Sequence, residues 1–297
     1  MIILELILYI SDYITFLTFI PANMFIFIVN LLTWIKDKKL PQVDQLITSI
    51  SVCNILEDVL HKMRFLNMSY DDLMMTNMYL VVFLMIMFCN IWFSTFLCVY
   101  FCLKIVNVKN TLYICLQRNF QKILPWLFVS VILVSVLLSV PVILKYLEQA
   151  TVNSTLNTSS STSAYIKAKD IASFMILSWT AMLIFSISVL GIVTSLIKHI
   201  DQVQQNFGGF RSPNMEAHVQ ALRTVISFLI NNIIILCTFT IIMTSHNKIL
   251  KYVIVPFYTI SKVVVCWNLI KGNRNLEKSL RNIFRKLQCC NTSNDMQ

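Results

Sequence analysis

The chain has 297 residues, 57% of them hydrophobic and only 13% charged, with a formal net charge of +10. A soluble chain of this length carries about 25% charged residues, so these side chains cannot clothe a water-facing surface and lipid is the implied solvent. The positive charge does not point to nucleic acid, because the basic residues are strung in short runs between apolar segments.

A membrane-crossing helix needs about 20 predominantly apolar residues. Seven such runs are expected, at roughly 13–35, 45–66, 78–103, 123–144, 171–197, 221–244 and 249–271. No cleavable leader is expected ahead of the first, since the N-terminus is apolar at once, carries Glu5 and Asp12, and has no basic flank. The second run is the weakest. Leu46–Leu56 is convincing, but Glu57, Asp58, His61, Lys62 and Arg64 follow it. Charges at membrane depth are rare and often functional; local pairing of these five near the outer surface is the plainer reading, and a ligand or ion role the sharper one.

The third run is crowded with Met78, Tyr79, Phe83, Met85, Met87, Phe88, Trp92, Phe93 and Phe96. Taken singly, each is the kind of residue that faces lipid or packs between helices. Taken together on one helix, they can line an adaptable apolar pocket, because methionine repacks at little cost. Before the sixth run, Ser212 can cap a helix and Pro213 can occupy its first turn. Glu216, Gln220, Arg223 and Ser227 then share a face, and from Val225 onward the sequence is almost wholly apolar. This polar-to-apolar transition is either the water-side end of a span or a surface for a partner.

Most of the 24 basic residues, including Lys36, Lys38, Lys39, Lys104, Lys109, Arg118, Lys122, Lys198, Arg211, Arg223 and the tail, follow spans one, three, five and seven. The opposite loops hold acids such as Asp71 and Asp72. The positive-inside rule therefore predicts an extracellular N-terminus and a cytoplasmic C-terminus. The glycosylation sequons at Asn67, Asn153 and Asn157 fall on the predicted outside; the one at Asn291 falls inside and is expected to be silent. In the tail, Leu276, Leu280, Ile283, Phe284 and Leu287 form one stripe after Gly272, with basic residues elsewhere. This predicts a short cytoplasmic amphipathic helix at 273–287 lying on anionic membrane lipid. Cys289 and Cys290 just beyond are palmitoylation candidates.

Nothing here resembles an enzyme. His61, His199, His218 and His246 are dispersed and have no partner at ligand spacing, so no metal or other cofactor is expected. Gly208-Gly209 lacks the Lys and Ser/Thr of a phosphate loop. The nine cysteines are scattered and read mainly as small apolar fillers at helix interfaces. A transporter or channel would want broken helices or internal repeats; there are only four glycines, and of these only Gly191 lies within a predicted span.

Several motifs go further. His218-x-x-Ala221-Leu222 followed by Ser227-Phe228-Leu229 opens span six. Asn23 to Val29-Asn30, then Trp34, Lys36, Lys39-Leu40 and Asp44 mark span one and its following loop. Trp92-Phe93-x-Thr95, Leu97, Val99 and Leu103-Lys104-Ile105-x-Asn107 mark span three. Ser195-Leu196-x-x-His199 and Leu269-Ile270-x-Gly272-Asn273-x-x-Leu276 close spans five and seven. Over nearly its whole length the chain resembles the bitter taste receptors (taste receptor type 2). The rhodopsin-like Asp-Arg-Tyr and Asn-Pro-x-x-Tyr motifs are absent. Some family positions differ: the span-two Ser-Arg pair appears as Cys53-Asn54, the span-five proline as Ala181, and the span-seven His-Ser pair as Val265-Cys266. The family's pocket Trp and Asn fall at Phe83 and Met87, which implies a more apolar pocket.

The resemblance implies an all-α membrane protein, a seven-transmembrane helix bundle acting as a G-protein-coupled receptor for small bitter compounds. Phe83, Met87, Asn90 and Phe65 are its candidate ligand-binding residues. Lys104, His199, His218 and Arg223 are candidates for docking a gustducin-like heterotrimeric G protein. A type 1 vomeronasal (pheromone) receptor or other chemosensory receptor shares the plan, though Lys104-Ile105 and His218–Leu222 favour taste. Assembly as a homo- or hetero-oligomer is left open.

Overall fold

The computed structural model describes residues 2–66, 73–106, 111–152, 160–206, 226–228, 230–238, 240–241 and 248–294. Nearly all of these are helical. In chain order the helices are α1 (Ile2–Asp37), α2 (Gln42–Leu66), α3 (Leu73–Ile105), α4 (Thr111–Val152), α5 (Ser160–Asn206), α6 (Ile226–Thr238), α7 (Lys248–Gly272) and α8 (Arg274–Asn294). Four segments are long and apolar enough to cross a membrane: Thr15–Asp37 of α1, Met78–Ile105 of α3, Tyr113–Pro141 of α4 and Ala172–Lys198 of α5.

Local chemistry sets several helix ends. At the end of α1, Lys38 adopts a left-handed backbone with φ 52° and its amide donates to the Trp34 carbonyl at 2.8 Å, closing the last turn. Pro41 directly precedes α2, its carbonyl accepting from the Gln45 amide at 2.9 Å, in a place where a proline's missing N–H is harmless. α2 continues unbroken through the charged stretch to Leu66. Glu57 is buried while Asp58 is half-buried, so the adjacent carboxyls occupy different surroundings. α4 and α5 extend well beyond the expected spans, and α8 runs past the expected stop at 287 to take in Cys289 and Cys290. The expected break at Gly272 is where α7 ends.

The outer surface is apolar, unlike that of a water-soluble protein, and polar side chains share the interior with apolar ones. Leu137 is 68% exposed and Trp126 75%, whereas Asn23 and Ser51 are fully buried and Thr95 and Ser139 nearly so. With hydrocarbon as solvent, apolar side chains gain nothing by hiding, while polar ones need partners inside.

The chain divides into two compact units. One comprises Met1–Ser51 with Leu196–Gln297, and in it α1 packs against α7 and α7 against α8. Phe19 and Ile26 of α1 and Cys266 of α7 lie in its interior, as does Lys262 of α7. The other comprises Val52–Ser195, in which α3 packs along α4. Its core holds Val81, Phe88, Leu97, Leu124, Phe174, Phe185 and Val189.

Candidate functional site

Along α3, Phe83, Met87 and Asn90 are spaced four and three residues apart and fall on one face. Phe83 and Met87 are buried, and Phe83 stacks on Tyr79 with ring centroids 5.9 Å apart. Asn90 ties α3 to α2: its Nδ2 donates to Asn54 Oδ1 at 2.7 Å. Position 54 lies in the motif where the resemblance places an arginine, and the amide pair supplies a polar link from α2. Asn23 donates to the Phe19 carbonyl of its own helix at 2.8 Å. The side chain of Phe65 lies outside the described residues.

The aromatic crowd on α3 divides by direction. Phe88, Trp92 and Phe96 follow one another along the helix, with centroids 6.1 and 5.8 Å apart, and Phe88 meets Phe174 of α5 edge-on at 6.1 Å. Phe93 faces the other way, onto Phe128 of α4 at 4.9 Å. These rings pack helices together. Phe83 and Met87 form a separate, upstream stripe.

At its other end, α3 is held by its neighbours. The Tyr113 hydroxyl, from the first turn of α4, lies 2.8 Å from the Cys102 carbonyl, which also accepts the Val106 amide, and 3.1 Å from the Val106 carbonyl, and its one hydrogen is shared between them. Gly191 lets α5 approach closely, since a Cβ there would sit 3.2 Å from Cys102 Sγ. Thr95 bonds its own helix at Ile91 and reaches the Ala181 carbonyl of α5 at 3.3 Å. Lys104 is exposed just beyond these contacts. His199 is on α5, but its side chain is outside the described residues, as are all of His218 and Arg223, the capping Ser212 and Pro213, and the sequons at Asn67, Asn153 and Asn157. Cys289 and Cys290 are placed in α8 by backbone only.

Two polar clusters had no role assigned from sequence. In the first, Ser227 of α6 accepts at Oγ from Asn268 of α7 at 2.9 Å and from Asn231 at 3.4 Å, while Asn231 also donates to the Ser227 carbonyl at 2.7 Å. Asn232 does the same to Phe228 at 2.8 Å. Ser227 and Asn231 stand one turn apart, a spacing that could have flagged the pair. In the second, Asn30 donates to Thr48 Oγ1 at 2.9 Å, and Asp44 receives the side-chain amide of Asn273. Burial pushes the Asp44 carboxyl above its ordinary value, and the bond from Asn273 pulls it partly back. Separately, the Lys262 ammonium lies over the rings of Phe19 and Tyr258, at 4.9 and 5.2 Å from their centroids.

The family model described as Taste receptor protein (TAS2R) matches residues 1–288. The chain belongs to the taste receptor type 2 family. Relatives of this taste receptor include taste receptor type 2 member 104 of Mus musculus, 26% identical over 91% of this chain and 93% of its own length. Taste receptor type 2 member 2 of Homo sapiens is 28% identical over 91% and 92% of the two chains. Member 7 of Pongo pygmaeus is 29% identical over 76% and 75%. The match decides between the two chemosensory families in favour of taste. The taste receptor is a chemosensory, G-protein-coupled receptor of the bitter class, and not an enzyme.

Proposed function

We propose that this taste receptor is a seven-span plasma-membrane protein with its N-terminus outside, which senses small apolar bitter compounds and activates a gustducin-like G protein. The family match along residues 1–288 carries the reading. The basic residues after spans one, three, five and seven, and the sequons on the opposite side, support the orientation. α2 and α7, each 25 residues long, have the length to cross, and the polar and charged groups Asn54, Glu57 and Lys262 within them are buried.

Ligands are received near Phe83 and Met87, with Asn90 and Phe65 as further ligand-binding residues. Apolar side chains at the family's Trp and Asn positions offer few hydrogen bonds, which favours compounds recognised by shape and apolar area. A compound shifts the receptor only through its differential affinity for two helix arrangements. The G protein docks by Lys104, His199, His218 and Arg223. Asn153, Asn157 and Asn67 carry glycans, Cys289 and Cys290 carry palmitate, and α8 lies on anionic lipid.

The test is calcium recording across a panel of bitter compounds in cells expressing the receptor with a promiscuous, gustducin-tailed G-protein chimera. An agonist of largely apolar character is expected, with Phe83→Ala and Met87→Ala moving its half-maximal dose by tenfold or more. His218→Ala and Arg223→Ala should cut the maximum response at equal surface expression. Unmoved dose-response curves in the first pair would remove the pocket assignment, and unmoved maxima in the second would remove the docking assignment.

A further inference from the structure

The turn between α7 and α8 is a single residue, Asn273, which is buried and uses every group it has. Its main-chain carbonyl accepts the Glu277 amide at 2.9 Å, the first bond of α8. Its Oδ1 accepts from the amides of Asn275 at 3.0 Å and Leu276 at 3.3 Å, two of the donors that a helix N-terminus leaves open. Its Nδ2 donates to Oδ1 of Asp44, in the first turn of α2 and 229 residues distant in sequence.

An asparagine amide can be turned either way, and only one orientation caps the helix. Backbone N–H groups demand the oxygen on the α8 side. The carboxyl of Asp44 accepts but, when ionised, cannot donate, so it demands the nitrogen on the α2 side. The two demands agree. Asp44 is itself held from behind: Asn30 of α1 donates to its main-chain carbonyl at 3.4 Å and to Thr48, whose hydroxyl also bonds that carbonyl. Asp44 is 3% exposed and Asn30 2%, so water does not compete for these bonds. Leu276, fully buried, seats the first turn of α8 beside the cap.

We infer that Asp44 is a positioning residue for α8: by accepting the Asn273 side-chain amide it fixes which face of that amide caps the helix, and so sets the direction in which α8 leaves α7. This goes beyond the receptor reading and does not depend on a ligand.

Hydrogen–deuterium exchange on the full chain in detergent micelles tests it, following the α8 first-turn amides (275–280) with an α3 peptide as internal control. Asp44→Leu, which keeps the branched shape and removes the acceptor, should speed exchange at 275–280 about tenfold and leave α3 unchanged. Asp44→Asn, which can still present an oxygen to Asn273, should stay within about twofold of the wild type. Asn30→Leu breaks the α1–α2 bonds without touching the Asp44–Asn273 bond, and should also leave 275–280 alone. The inference is overturned if Asp44→Leu leaves the first turn protected, if Asn30→Leu loosens it equally, or if Asp44→Asn exchanges as fast as Asp44→Leu. Should Asp44→Leu not fold, the exchanged pair Asp44→Asn with Asn273→Asp replaces it, returning donor and acceptor from opposite sides. Protection near wild type then supports the inference, and exchange as fast as in Asn273→Leu overturns it.

Discussion

In the unit made of Met1–Ser51 and Leu196–Gln297, the bonds that cross between helices are made by amides, a hydroxyl, a carboxyl and one ammonium: Asn30 on Thr48, Asn268 on Ser227, Asn273 on Asp44, and Lys262 over two rings. In Val52–Ser195 hydrogen bonds also cross between helices, Asn90 on Asn54, Thr95 on Ala181 and Tyr113 on the end of α3, but ring contacts cross beside them: Phe88 on Phe174, Phe93 on Phe128 and Tyr100 on Phe120. Hydrogen bonds are directional and hold a register; ring contacts are shallow and can slide or refill. Lipid sharpens the contrast, because hydrocarbon competes with packing but offers nothing to an amide. The aromatic unit is therefore suited to accommodating varied shapes, and the polar unit to holding one helix arrangement against another.

The largest blow to that contrast is at Lys262. Lys262→Glu places an anion against two ring faces and removes a buried cation, at a cost of about 3–5 kcal/mol; surface delivery, measured by antibody to an N-terminal tag, should be lost. Next comes Phe88. Phe88→Ala forfeits its contacts with Trp92 and Phe174 and should lower the melting stability in micelles by about 3 kcal/mol. Phe88→Leu should return most of that, because the aromatic unit refills. If Leu is as damaging as Ala, the ring contacts are as specific as hydrogen bonds and the comparison fails.

A smaller effect is expected at Ser227, where Ser227→Ala strands the Asn268 amide at a cost of about 1 kcal/mol. Loosening α6 from α7 should raise ligand-free calcium signalling, and adding Asn268→Leu should raise it no further, since both remove one bond. Additive effects would show that the two residues act separately. The smallest is a pH slope at Asp44. Its folded carboxyl holds a proton more tightly than the unfolded chain, whose value is near 3.8. The folded state therefore carries the extra proton between that value and its own raised one, and stability falls as pH rises through this window. Asp44→Asn should flatten the slope, seen by melting in micelles at a series of pH values.

Much of this architecture is written locally. Apolar runs announce α3, α4 and α5, and Gly272 followed by Asn273 announces the break before α8, because hydropathy and capping act over a few residues. What the runs understate is length: α4 and α5 continue through polar flanks that carry no apolar signal. α2 looks weak because Glu57 reads as a breach, yet its side chain is inside. The long-range bonds are where sequence falls silent. Asp44, Asn30 and Asn273 each stand in a recognisable motif, but no spacing rule joins positions 229 apart. Phe83 and Met87 were placed by likeness to relatives, since periodicity alone could not separate them from Phe88, Trp92 and Phe96.

Lys38 carries one further consequence. It is the non-glycine residue with positive φ among those described, at a helix end where glycine or asparagine is the comfortable choice and a lysine is strained. Lys36 and Lys39 flank it, so the position serves two masters: the backbone wants a small residue, and the charge signal that orients a nascent helix in the bilayer wants a cation. The cation holds the position. On the proposed orientation, a cation here counts for more than the comfort of a single turn.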